Sequence, residues 1–124
     1  PGTGKFASSF RVAADGSLTD GQTYFDIFQG YGSSGTGATG SAVDTEGWLY
    51  LATDQGIQVL DQAGRVNGII APPTIAGRPL GLAFGGQNRH FLYTILSGKL
   101  YKRNVRSQGV LSCEPALKPP GPRL

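Results

Sequence analysis

Between Gly40 and Val66 three short apolar runs follow one another closely: residues 41–43 (SAV), 48–53 (WLYLAT) and 57–60 (IQVL), each closed by a turn, Asp44-Thr-Glu-Gly47, Asp54-Gln-Gly56 and Asp61-Gln-Ala-Gly64. Runs this short, rich in Val, Ile, Leu, Trp and Tyr and punctuated by Asp and Gly, predict an antiparallel meander. Strands of this length do not hold as an isolated two-stranded ribbon. The unit therefore needs copies of itself, or a cover, on both faces.

A copy follows. Residues 79–104 (PLGLAFGGQNRHFLYTILSGKLYKRN) repeat the same grammar: an apolar run at 80–84, a turn at Gly85-Gly86, an aromatic and aliphatic run at 91–95, a tight turn at Ser97-Gly98, then Leu100-Tyr101. Leu49-Tyr50 falls on Leu92-Tyr93, and Gly56 falls on Gly98. A period of roughly 40–45 residues with four short strands per unit is that of a β-propeller blade. The sequence thus predicts an all-β chain, a partial propeller of about two antiparallel four-stranded blades plus the outer strands of a third.

The predicted segments are residues 5–28 as the outer strands of one blade, 39–70 as a second blade, 79–104 as a third and 105–124 as a Pro-rich tail. In the first, residues 5–12 and 22–28 are strand candidates joined by a loop at 13–21, with Phe25 and Ile27 on the side opposite Tyr24, Asp26 and Phe28. In the last, Pro115, Pro119, Pro120 and Pro122 exclude helix and central strand, leaving extended backbone that wraps over a blade or hangs free.

Composition agrees: 124 residues hold 20 glycines, 8 prolines and no methionine, the usage of a turn-dense chain. No apolar run approaches the roughly 18 residues that span a bilayer, and no signal peptide is visible, so no membrane partner is expected. Because the first residue is proline, the start reads as a trimmed end and the compartment stays open, cytoplasmic or periplasmic and secreted alike. Cys113 is single, which excludes an internal disulfide. The net charge of +3 divides unevenly: residues 1–77 carry −4 and residues 78–124 carry +7. A basic β surface bearing Phe91, Tyr93 and Tyr101 suits nucleic acid. With no helix or basic-aromatic module alongside, Lys99, Lys102 and Arg103 read instead as charges that block edge-to-edge pairing of an outer strand.

Two sequence matches to phosphate-binding loops fail on chemistry. Gly30, Gly32 and Gly35 spell GxGxxG, but a strand pattern follows where the pyrophosphate needs a helix N-terminus. Pro1-Gly-Thr-Gly-Lys5 is followed by Phe6 where a magnesium-holding hydroxyl belongs. Asp44, Asp54 and Asp61 stand at turn positions, where the side chain caps its own backbone. His90 and Cys113 have no partners at ligand or catalytic spacing.

AVDTEGWLYLATDQGIQVLDQAGR and GLAFGGQNRHFLYTILSGKLYKR resemble the last two blades of the gluconolactonase, regucalcin and luciferin-regenerating-enzyme family of six-bladed propellers, with the ending KPPGPRL similar to bacterial members. The resemblance implies a C-terminal portion of such a protein, completed by missing N-terminal blades or by identical copies. It implies a hydrolase of sugar lactones or related esters in the complete form. A divalent cation, calcium or zinc, would sit on the axis through a glutamate, an asparagine and an aspartate. It makes Thr39, Gly40 and Gly81 the pocket-lining residues. The family aspartate of a Pro-Asp-Gly falls on Thr39 within Ala38-Thr39-Gly40, and a threonine hydroxyl cannot act as a general base near neutral pH. The other two ligands belong to earlier blades. The chain by itself is therefore expected to hold no metal, to offer no catalytic residue that can be named, and to be inactive; the rival reading is a non-catalytic propeller portion for binding or assembly.

Overall fold

The computed structural model describes residues 4–73 and 77–114. Within them nine strands form three antiparallel sheets in chain order. Sheet 1 is the hairpin of β1 (Phe6–Val12) and β2 (Leu18–Asp26). Sheet 2 is the meander β3 (Gly40–Val43), β4 (Leu49–Thr53), β5 (Gly56–Leu60) and β6 (Val66–Ile70). Sheet 3 is β7 (Leu80–Gly85), β8 (Phe91–Leu96) and β9 (Lys99–Asn104). No α-helix occurs among the described residues, and none is long and apolar enough to cross a membrane; the one helical element is a 3-10 turn, Gln87–Arg89. Residues 29–39 are loop and turn, so no helix opens at Gly35.

The meander was legible to within a residue or two because its turns are chemically explicit. Gly47 N–H donates to Asp44 O at 3.0 Å while Asp44 N–H donates to Trp48 O at 3.1 Å, and Asp44 Oδ1 accepts from Glu46 N–H and Trp48 N–H at 3.0 and 2.9 Å. Asp61 repeats the pattern, its Oδ1 accepting from Ala63 N–H at 2.9 Å and Arg65 N–H at 3.0 Å. Gly47 and Gly64 take φ of 79° and 84°, the left-handed step that three-residue hairpin loops require. Asp54 departs from expectation: its turn is capped by Thr53, whose Oγ1 accepts from Gln55 N–H at 3.2 Å and donates to Gly56 O at 2.8 Å.

β2 differs from the sequence reading at both ends, stopping at Asp26 where residue 28 was expected. β2 begins at Leu18, not Gln22, because residues 13–17 alone close the hairpin: Gly16 N–H donates to Ala13 O and Ala13 N–H to Ser17 O, each at 2.9 Å. Sheet 3 has three described strands where four were expected. After β9 the chain turns away, Val105 N–H donating to His90 O at 2.8 Å, and returns to β3. There Asp44 bridges Gly109, and Val110 N–H donates to Val43 O at 3.1 Å. Residues 105–114 are thus a strap across sheets 2 and 3; the tail prolines lie outside the described residues.

Sheet 2 is the centre of the core. Leu49, Leu51 and Leu60 pack with Ile27 toward sheet 1, where Ala7 and Phe25 meet them. On the opposite face Tyr50 and Ile57 pack with Leu92 of sheet 3, joined by Leu82, Phe84 and Val105. The period of two along β4 sends alternate residues to opposite neighbours, so the strand is buried at all five positions. Buried Gln58 accepts from Phe28 N–H at 2.8 Å and donates to Phe28 O at 2.7 Å, satisfying a backbone that has no strand partner there.

The outer faces of the flanking sheets are open. Phe6, Phe10, Val12 and Leu18 are exposed on sheet 1, and Leu80, Ile95 and Leu100 on sheet 3.

Candidate functional site

Thr39, Gly40 and Gly81, which the family resemblance put in one pocket, lie where β3 and β7 run side by side. A Cβ on Gly40 would lie 2.7 Å from Gly81 Cα, a contact that real Cβ atoms do not make. Glycine at 40 is what lets the two backbones touch. Gly81 itself has φ of 67°, and its carbonyl accepts the Thr94 hydroxyl at 2.9 Å. Thr39 Oγ1 donates to Pro79 O at 2.7 Å, so its proton is committed to the segment that leads into β7. A hydroxyl in this state retains acceptor lone pairs, yet it is neutral and offers no base.

The sequence missed the charged pair at this end of the sheets. Asp54 follows β4 two residues past Ala52, the partner of Gly40, and its Oδ1 lies 3.4 Å from Arg78 Nη1, just before Pro79. The pair crosses between the two sheets; both side chains are about half exposed, so it contributes little stability. Asp54 also fills the space beside Gly37, where a Cβ would lie 2.2 Å from the carboxylate carbon. The available signal was Arg78 standing directly before the Pro79 whose carbonyl binds Thr39.

Asp61 and Asp44 serve local structure. Asp61 binds the Arg65 guanidinium at 3.0 Å, and the donated backbone N–H of Arg65, with the Asn67 side chain, holds its carboxyl down at about 2. Asp44 is buried, with Oδ2 free of any hydrogen bond among the described residues. Nearby, Tyr50 donates to Ser107 Oγ at 2.8 Å, and burial pushes its phenol above the usual range. His90, half-buried, has Nδ1 3.0 Å from Ser107 O, which makes Nδ1 the protonated nitrogen. Arg89 clasps the strap by donating to Gly109 O at 2.7 Å and to Glu114 at 2.9 Å.

No group of three or more His, Cys, Asp or Glu side chains able to hold a metal ion occurs among the described residues. Hard divalent cations take about six to eight oxygen ligands, several of them carboxylates, and the Thr39 end of the sheets supplies one hydroxyl and one ion-paired carboxylate. These donors do not fit such a cation. They can hydrogen-bond a polar ligand.

No protein-family model matches the sequence, and no curated protein matches it. Seven solved chains match. One is an X-ray structure of a provisionally named gluconolactonase, with a TM-score of 0.69 at 20% identity over 86% of this chain. The match takes in 34% of that protein, so the present chain spans about a third of the structure it resembles. The chain therefore has the fold of one portion of a gluconolactonase-like structure.

Proposed function

We propose that this chain is the C-terminal part of a gluconolactonase-like β-propeller. In this reading sheet 2 is a whole blade, sheet 3 most of the next, and sheet 1 the outer strands of the one before. The complete protein hydrolyses a sugar lactone or related ester with a divalent cation, and the portion in hand is inactive alone. The observation that carries the reading is the structural match, which takes in most of this chain and only 34% of the gluconolactonase-like protein. The open apolar faces of sheets 1 and 3 support it, since such faces usually mark interfaces. Neighbouring blades, or further copies of the chain, are their proposed covers. Because the donors at Thr39 do not fit the cation, its ligands are assigned to the rest of the protein, and no step of hydrolysis is given to a residue of this chain.

A second reading, a non-catalytic propeller used for binding or assembly, is favoured by one observation: Thr39 stands where the resemblance expects the aspartate, with its hydroxyl committed to Pro79 O. Assay of sugar-lactone hydrolysis by the longest natural form, stripped of metal and then supplied with calcium or zinc, separates the two. Metal-dependent turnover by the long form and none by residues 1–124 is expected. A long form inactive with either metal would favour the second reading.

A further inference from the structure

A cleft of about 220 Å³ opens between sheets 2 and 3; Pro79, whose carbonyl accepts the Thr39 hydroxyl, and Thr94, whose hydroxyl binds Gly81 O, form part of its wall. Its floor and other walls are apolar: Ile57 and Ile70 from sheet 2, Leu92 and Leu96 from sheet 3, and Pro72 and Pro73 beyond β6. Strand register determines what stands at its rim. Thr94 pairs with Tyr101 and Leu92 with Arg103, so Tyr101 and Arg103 share the face of β8 and β9 that looks into the cleft. Lys102 also borders the cleft, but its ammonium sits over the Phe91 ring, 5.1 Å from the centroid. Arg103 makes no ion pair with any described residue, and no acid lines the cleft.

An apolar slot with one unpaired guanidinium at its mouth is complementary to a small molecule that has an apolar body and an anionic head. The volume lies below the roughly 300–1,000 Å³ of drug-sized pockets, which limits the body to a short chain or a single ring. We propose that this cleft binds a small amphipathic carboxylate, its chain against Ile57, Ile70 and Leu92 and its carboxylate on Arg103. The site is independent of the lactonase reading: it uses neither Thr39 nor the open faces of sheets 1 and 3.

Decanoate is the probe, titrated into the protein of residues 1–124 while the methyl resonances of Ile57, Ile70 and Leu92 are followed by NMR. Saturable shifts of those methyls are expected. Arg103→Glu is expected to weaken binding at least about tenfold, the loss that one charge-assisted hydrogen bond implies. Ala71→Trp, at an exposed lining position, fills the mouth and is expected to abolish binding. Decanol is expected to bind at least about tenfold more weakly than decanoate, for the same reason as the Arg103 variant. Leu100→Ser, on the opposite face of β9, is expected to leave binding unchanged. The proposal is overturned if the three methyls do not shift, if Arg103→Glu and Ala71→Trp bind decanoate as the parent does, or if Leu100→Ser removes the effect, since adsorption to the open sheet face would then explain it.

Discussion

Sheet 2 and its two neighbours are built from the same sort of strand, yet they end in opposite environments. β4 is buried at every position, whereas β9 is exposed at five of its six. Leu60 is fully enclosed and Leu100 is 69% exposed, although each is a leucine in the strand that follows a Gly turn. The difference is one of company. Sheet 2 has a sheet against each face, while sheets 1 and 3 have one covered face each, and an apolar side chain gains only where it leaves water. Strand sequence sets which residues point each way; the neighbours decide what that is worth.

The largest expected contrast is between those two leucines. Leu60→Ala is expected to cost about 2–5 kcal/mol, the range for a large-to-small change in a closed core, read from the urea midpoint. Leu100→Ala is expected to stay within about 0.5 kcal/mol in the same assay, as exposed substitutions do. Equal losses would break the comparison.

Next comes the seam between sheets 2 and 3. Gly40→Ala drives a methyl into Gly81 backbone, and overpacking of this kind costs about 1–3 kcal/mol. Gly81→Ala meets no neighbouring atom but must hold φ of 67°, for which about 1–2 kcal/mol is expected. A tolerated Gly40→Ala would mean that the two sheets are not in backbone contact.

The open faces give an effect on association. Residues 1–124 are expected to self-associate through them, so Phe10→Ser combined with Leu100→Ser should shift sedimentation velocity toward the monomer. A parent that is already strictly monomeric and unfolds cooperatively would remove the proposed need for covers.

The smallest effect is electrostatic and confined to sheet 2. The Asp61 carboxyl is held at about 2 when folded, below the roughly 3.9 of an unfolded aspartate. Its contribution is therefore present above about pH 4 and lost as pH falls through the folded value. Asp61→Asn is expected to flatten the fall in urea midpoint between pH 4 and pH 2; an unchanged slope would assign that acid sensitivity to other groups.

The sequence exposed most where local chemistry was sufficient. Asp44 and Asp61 with Gly47 and Gly64 specify hairpin turns without help from the rest of the chain, and the unbroken apolar run at 48–52 matches a strand buried on both faces. Thr39, Gly40 and Gly81 were grouped by the family resemblance alone; repeat spacing does not single them out. What the sequence hid depends on distant residues. Residues 18–20 read as loop because they sit in a run rich in Gly and Asp, and Leu18 and Thr19 pair as strand because β1 offers them Val12 and Arg11. The strap at 105–114 has no periodicity of its own; Gly109 fits because Phe84 leaves no room for a Cβ there. Asp54 looked like a third copy of the capped turn until Thr53 took that role and Arg78 took the carboxylate.

Stability in this chain is expected to concentrate in one fully flanked sheet, with half-covered sheets on either side. Residue-resolved amide hydrogen exchange on residues 1–124 tests it most directly. The slowest amides should be those of β4 and β5, with β1, β2 and β9 exchanging through far smaller openings. Equal protection across all three sheets in a monomeric sample would contradict it.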